Sequence, residues 1–412
     1  MARALADGEI RSVLNRRPVT VVAAGKMAVP MAEAFTEAWD GHLRGGVVAA
    51  PTGSLRDRRL EFFQVGHPVP TIHSVTAGRR ALTAAGTVGT EEVLLVLLSG
   101  GASAALAVPA EGVTLADKVA ATAALLRGGV AIDSVNCVRK HLSAIKGGWL
   151  TAASKGTVLT LAVSDVVGPV SDDAAVIGSG PTAADPTTFQ DAAIVADRPA
   201  VRERFPQAAR LVLERGCRSQ IQETPKPGDP RLAGSRFHVI GNRLDAIRGA
   251  TSAAMTLGYR VGVIDQPVVG DARRVAGKLL EDSLAVARRL GSPACVVSAG
   301  ETTVEVTGSG KGGRNQEMVL AMVDQLSGME EDVVVASVGT DGVDGPTDAA
   351  GAVADRTTAQ RAVRLGMSHP SSYLERNDSY SYFRALGDLM MTGPTQTNVG
   401  DLQVVLTGER SC

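Results

Sequence analysis

The chain has 412 residues, 44% of them hydrophobic and 21% charged, with a net charge of −1 at pH 7. That length allows two or three domains with a large core, and the charge balance argues against a dedicated nucleic-acid surface, which is normally strongly basic. Aromatics are only 3%, so base-stacking platforms are not expected either. The four cysteines (Cys137, Cys217, Cys295, Cys412) are far apart and form no C-x-x-C, which fits a reducing cytoplasm rather than a thiolate metal knuckle. No apolar leader stands at the N-terminus. The longest aliphatic run, Val93 to Leu98, is far short of the roughly 20 residues a membrane span needs.

From the N-terminus, short aliphatic runs alternate with helical stretches. Strands are predicted at Val19–Ala24, Glu92–Leu98, Val158–Ser164, Phe237–Gly241, Tyr259–Asp265, Ala294–Gly300, Val333–Gly339 and Leu402–Thr407. They are apolar on both faces, as buried parallel strands are. Helices are expected between them, among others at Ala246–Leu257 and Val275–Leu290. The rhythm is that of a doubly wound α/β fold. The Pro- and Gly-rich segment Glu223–Arg236 marks a domain junction, giving an N-terminal α/β domain over 1–230 and a C-terminal one over 236–412. Each is expected to be a largely parallel sheet flanked by helices, with a cleft between the domains.

In such folds ligands bind beyond the carboxyl ends of the strands. After the first strand, Gly25 is followed by Lys26 and a helix start, with Pro30 in its first turn, so Lys26 is placed to meet an anion attracted by free N–H groups. After the second, Ser99, Gly100, Gly101 and Ser103 offer an anion nest with two added hydroxyls. Farther on, Asn136, Arg139, Lys140 and Ser143 share one face of a basic helix, while His141 points elsewhere. Asp165 at a strand end has the oxygen ligand that suits Mg²⁺, though an Asx-turn explains it equally well. The C-terminal half carries dense polar loops: Glu301, Thr302, Lys311, Arg314, Asn315 and Glu317; then Thr340, Asp341 and Asp344; then Thr395, Asn398 and Asp401.

Gly308, Gly310 and Gly313 satisfy G-x-G-x-x-G, the dinucleotide fingerprint. The context does not fit it. The preceding stretch carries Glu305, the turn carries Lys311 and Arg314, and the acid expected about 20 residues on, at the end of the next strand, is not there, since Asp341 comes 28 positions after Gly313. No P-loop and no protein-kinase signature occurs.

Strings in chain order, from "AAGKMAVPM" and "GHPVP" through "LLSGGASAAL", "NCVRKHLSAIKGG", "GKGGRNQE", "GTDGVDGPTDAAG" and "NDSYSYF" to "TGPTQTNVGDL", resemble the glycerate 2-kinases with a C-terminal MOFRL domain, some formerly labelled hydroxypyruvate reductases. The resemblance covers nearly the whole chain. It implies a two-domain α/β kinase that transfers a phosphoryl group from ATP, with Mg²⁺, to the 2-hydroxyl of D-glycerate. It implies Lys26 and Arg314 as catalytic residues, one from each domain. Substrate or phosphate contacts fall to Ser99, Gly100, Gly101, Ser103, Asn136, Arg139, Lys140, Asn315, Glu317 and Asn398. Nucleotide contacts fall to Gly241, Asn242, Glu301, Thr302, Thr340, Asp341 and Thr395, and metal contacts to Asp165, Asp341 and Asp344.

The chain departs from the family pattern after Gly168, where Pro169 replaces the usual acid. Asp172 or Asp173 could substitute for it. A related hydroxy acid as substrate, an NAD(P)H-dependent hydroxypyruvate reductase and a non-catalytic sugar-acid-binding protein are the alternatives. The expected partners are small molecules, with neither nucleic acid nor membrane, in the cytoplasm; a homodimer stays open.

Overall fold

The computed structural model describes residues 1–168 and 170–408. The chain divides into two compact units: Met1–Val163 with Asp172–Ile240, and Ser164–Ser171 with the chain from Gly241 onward. The short segment 164–171 thus groups with the second unit, which nothing in its sequence signals. No helix among the described residues is long and apolar enough to cross a membrane.

The first unit is built on six strands: β1 (Val19–Ala24), β2 (Leu43–Ala50), β3 (Leu60–Gln64), β4 (Val93–Leu98), β5 (Thr157–Val163) and β6 (Arg236–Gly241). Their order is β3-β2-β1-β4-β5-β6, and β1 to β5 pair in parallel. Every residue of β1 and β4 is buried. That is the burial of a parallel sheet covered on both faces, and it explains the unbroken aliphatic runs. The strand order reverses between β1 and β4, which pair in register from Val19↔Val93 to Ala24↔Leu98. This is the topological switch point, where open α/β sheets bind ligands. Strands β2 and β3 have no clean sequence signal: β2 carries Arg44 and a Gly pair, and β3 alternates with Glu61 and Gln64.

The second unit contains β7 (Arg260–Asp271), β8 (Ala294–Thr303), β9 (Val333–Gly339), β10 (Gly351–Asp355), β11 (Leu389–Met390) and β12 (Asp401–Thr407) in the order β11-β10-β9-β12-β8-β7. Here the expectation of a largely parallel sheet gives way. Only β7 and β8 pair in parallel; β12 runs antiparallel to both β8 and β9, and β10 antiparallel to β9 and β11. Burial alternates along β9 and β12, as it does in antiparallel sheets with one less covered face. The residues hide this, because "VVVASVG" and "LQVVLT" are apolar at the half-covered positions too. One face carries the main core, where Leu280, Leu284, Met318, Val323 and Phe383 pack under the helices Ala272–Leu290 and Arg314–Ser327. The other face has a smaller cluster around Ile247, Val297 and Ala299 under the helix Arg243–Thr256.

Candidate active site

At the switch point of the first unit, two turns are knitted together. Gly25 has φ +116°, and a Cβ there would lie 2.4 Å from Ser99 Oγ; only glycine lets the β1 turn approach the β4 turn this closely. The Lys26 N–H donates to the Gly100 carbonyl at 2.9 Å, and the Met27 N–H donates to Ser99 Oγ at 2.9 Å. Ser99 is buried and Lys26 half-buried. The helix that follows runs Ala28–Ala38 without a side-chain N-cap; its Ala28 N–H donates to the Gly25 carbonyl and Pro30 has none, so of its first turn only the Val29 N–H has no protein acceptor among the described residues. Among the described residues, the N–H groups of Gly100 and Gly101 donate to no protein acceptor. A half-buried cation thus stands beside two amides without protein acceptors at the switch point.

His67, which the sequence reading passes over, belongs here. It follows β3 at the same sheet edge. Its Cδ2 and Nε2 would lie 2.9 and 3.1 Å from a Cβ on Gly101, with Lys26 Cγ at 3.5 Å. The string "GHPVP" was the only signal, and the strand before it gave none. Gly101 has φ +87°, so Gly101→Ala is expected to cost about 1–2 kcal/mol of stability and to push the His67 ring aside. Thermal unfolding beside KM measurements checks this: KM rises even where the fold is retained.

Ser103 Oγ lies 3.0 Å from Ser179 Oγ, which donates to Asn136 Oδ1 at 3.0 Å. Ser103 and Asn136 thus join one hydrogen-bonded chain, with Ser179 as an unforeseen link. Lys140 is different: it is buried in an ion pair with Asp185 at 2.9 Å, and its charge serves the fold. The helix ends at His141, so Ser143 lies beyond it and its Oγ donates to the Val108 carbonyl. His141 does point elsewhere, bridging the Cys137 carbonyl and Glu223. Arg139 turns toward Lys118.

In the second unit, Arg314 is the first residue of its helix. Its Nε and Nη2 hold Asp401 Oδ2 and Oδ1 at 2.7 and 3.0 Å, and Nη1 donates to Glu301 Oε1 at 2.9 Å. The bidentate pair fixes the guanidinium plane. Asp401 is fully buried, whereas Arg314 and Glu301 are each about a third exposed at the side chain, so the Nη1 edge faces the open side. Asp401 begins β12, opposite Gly300 and Gly339; sequence reading noted it only as part of a polar loop. Asn398 Nδ2 donates to Asp165 Oδ2 at 2.6 Å.

Burial pushes the Glu301 carboxyl up to about 7; Arg314 opposes the shift, and the negative charges of Asp165 and Asp401 add to it. A carboxyl held higher in the folded state than its ordinary 4.5 favours folding at low pH, and that contribution is lost as pH rises through about 7. Glu301→Gln should therefore raise the melting temperature at pH 8 relative to the parent and gain less, or nothing, at pH 5. Unfolding scans at the two pH values test this; an equal effect at both would remove Glu301 as the titrating group.

The other predicted residues of this unit are mostly engaged in holding the loops. Asn315 is buried, donating to Asp344 and Asp401 and accepting from Ser337. Glu317 is buried against Arg273 and Asn377, away from Arg314's partners. Asn242 caps the helix that follows Gly241. Thr302 is buried; burial pushes the Asp401 carboxyl up, opposed by Arg314, Asn315 and the Thr302 N–H. Thr340 bonds the Gly400 carbonyl and the Val399 N–H, and Thr395 bonds the Thr340 carbonyl.

The aspartates expected to hold Mg²⁺ do not fit that role as a set. Asp344 Oδ1 accepts from the Asn315 N–H and Nδ2, and Oδ2 from the Gln316 N–H and Nε2. Four N–H donors leave its carboxylate satisfied without a cation, and burial pushes it up to about 6. It is a cap for the Arg314 helix. Asp341 accepts the Val343 N–H in a turn. Among the described residues no three His, Cys, Asp or Glu side chains group to hold a metal ion.

The G-x-G-x-x-G turn is likewise filled by protein. The N–H groups of Gly308, Gly310 and Lys311 donate to Asn377 Oδ1, the Arg376 carbonyl and Asp378 Oδ1. A Cβ on Gly310 or Gly313 would meet Asp378 or Asp344 within 2.4 Å. Gly308 and Gly310 permit close packing of the 376–379 loop, and three of the turn's amides are taken up by protein acceptors.

A parallel α/β unit with a cation beside two amides at its switch point, joined in one chain to a mixed-sheet unit that presents a braced arginine, defines a phosphate-handling α/β protein. The first unit matches the Domain of unknown function (DUF4147) over residues 2–214, and the second matches the MOFRL family over 294–401. The chain belongs to this DUF4147–MOFRL family, which includes the glycerate 2-kinases. It is 37% identical to the D-glycerate 2-kinase of Thermotoga maritima, covering 95% of this chain and 91% of the relative. It is 34% identical to the glycerate 2-kinase of Pyrococcus horikoshii, covering 95% and 88%. A putative hydroxypyruvate reductase of Agrobacterium vitis is 39% identical, covering 99% and 92%. The crystal structure of the glycerate kinase of Thermotoga maritima superposes with a TM-score of 0.82 at 36% identity, covering 99% of this chain and 95% of that one.

Proposed function

We propose that the protein is a glycerate 2-kinase, transferring the γ-phosphoryl group of ATP to the 2-hydroxyl of D-glycerate to give 2-phospho-D-glycerate and ADP. The observation that carries the reading is the switch-point centre, where Lys26 and the amides of Gly100 and Gly101 meet. Together with relatives named as glycerate 2-kinases along the whole chain, it supports phosphoryl chemistry. Phosphoryl transfer asks for positioning and charge neutralisation rather than covalent chemistry. Lys26 supplies a compact positive charge beside the amide donors, and His67 lies within reach to orient or accept a hydroxyl proton. Arg314 supplies a guanidinium whose plane is fixed by Asp401, with the Nη1 edge left for an anionic oxygen. Glu301, titrating near neutrality, is the group that must release Nη1 when that oxygen arrives. A Mg²⁺ ion, were one to accompany the nucleotide, would supply charge neutralisation on the phosphates and would lean chiefly on phosphate oxygens and water rather than on Asp165, Asp341 and Asp344.

The reductase reading finds little support at the glycine turn, where the Gly308, Gly310 and Lys311 amides bond protein acceptors. A coupled ADP-release assay over D-glycerate, L-glycerate and four-carbon hydroxy acids, run beside an NADH-consumption assay with hydroxypyruvate, tests the proposal. ADP release with D-glycerate as the preferred acceptor is expected. NADH oxidation without any ATP requirement would overturn it.

A further inference from the structure

We infer that the first unit holds a single monatomic anion of the chloride class between its helices Leu115–Arg127 and Ile132–His141, away from the switch point. A small cavity lies there, lined by Lys118, Ala121, Thr122 and Leu125 from one helix and by Val138, Arg139 and Leu142 from the other side. Lys118 is 7% exposed. Its ammonium donates to one acceptor, the Leu142 carbonyl at 2.9 Å, and an ammonium carries three N–H donors. Arg139 brings five more donors, and among the described residues it forms no hydrogen bond or ion pair. Lys146 is a third cation nearby; it is 2% exposed and bonds only the Ser103 and Leu106 carbonyls.

Among the described residues these cations have no carboxylate partner. The buried acid Asp185 is engaged by Lys140, Thr187 and Thr224. Buried charge without a counter-charge is costly, and unfilled buried donors add to the cost. Burial, with repulsion from Arg139 added, pushes Lys118 down to about 7 and lowers Lys146, and burial alone lowers Arg139; a bound anion counters these shifts. The space open to a water-sized occupant is about 10 Å³, at the lower limit for one water, so a chloride ion fits once the flexible ends of Lys118 and Arg139 draw back. A phosphate or a hydroxy acid is too large, which separates this site from substrate binding. The surplus of positive donors favours the anion over water.

Two measurements on the full chain test the inference. Crystals soaked in bromide should give an anomalous peak in the cavity, within hydrogen-bond reach of Lys118 and Arg139. In solution at matched ionic strength near neutral pH, about 0.2 M sodium chloride should raise the melting temperature over sodium gluconate by about 2 °C or more, since gluconate is too large to enter. Lys118→Met, similar in length and uncharged, should abolish the difference between the two salts. An empty or water-filled cavity in saturating bromide, or equal melting temperatures in both salts, overturns the inference; so does a chloride effect that survives Lys118→Met.

Discussion

Arg314→Ala lowers kcat with ATP and D-glycerate by about 10³, the scale set by arginines that act on the transferred phosphoryl group. The variant also loses stability, because Asp401 is fully buried and Arg314 is its principal counter-charge. Breaking such a pair from one side costs about 3 kcal/mol or more. The two effects separate in the double variant Arg314→Ala/Asp401→Asn, which removes the orphaned charge while keeping the shape. Its melting temperature recovers toward the parent, and its kcat stays low. Recovery of both would mean that Arg314 serves the fold alone. Near-normal turnover in the single variant would remove it from the reaction altogether.

Lys26→Ala produces the second large effect, a fall in kcat/KM of about 10² to 10³, the range seen when one donor to a developing charge is removed. The turn's geometry rests on Gly25, Ser99 and backbone bonds, which the substitution leaves in place, so the fold is retained. Lys26→Arg recovers only part of the activity, since a planar fork does not reproduce a compact ammonium. Steady-state kinetics with circular dichroism distinguish this from misfolding; a variant with normal kcat/KM would assign the switch-point charge to another group.

The parallel half of the fold was legible because burial on both faces selects unbroken aliphatic runs, and β1 and β4 are such runs. The same rule misled in the second unit. There β9 and β12 are equally aliphatic in sequence yet antiparallel, and pairing direction is set by long-range connections that no local pattern encodes. Strands β2 and β3 escaped notice because Arg44, Glu61 and Gln64 break their apolar pattern.

At the site, the glycine turns announced Lys26 and Ser99–Gly101, since tight turns after buried strands need residues free of Cβ. What the residues could not tell was which polar side chains are used up inside the protein. Asn315, Glu317, Lys140 and Asp344 look like site residues by density and charge, but each closes a buried network. His67 and Asp401 had the opposite fate: each stands inconspicuously beside a strand end, and only the fold brings one to Gly101 and the other to Arg314.

The central claim concerns which oxygen receives the phosphoryl group. Phosphorus NMR of the product formed from ATP and D-glycerate by the purified protein decides it most directly. The expected spectrum shows ADP together with a phosphomonoester coupled to the C2 proton, as in 2-phospho-D-glycerate. A phosphomonoester coupled instead to the C3 methylene, or free phosphate and ADP with no new ester, would contradict the account.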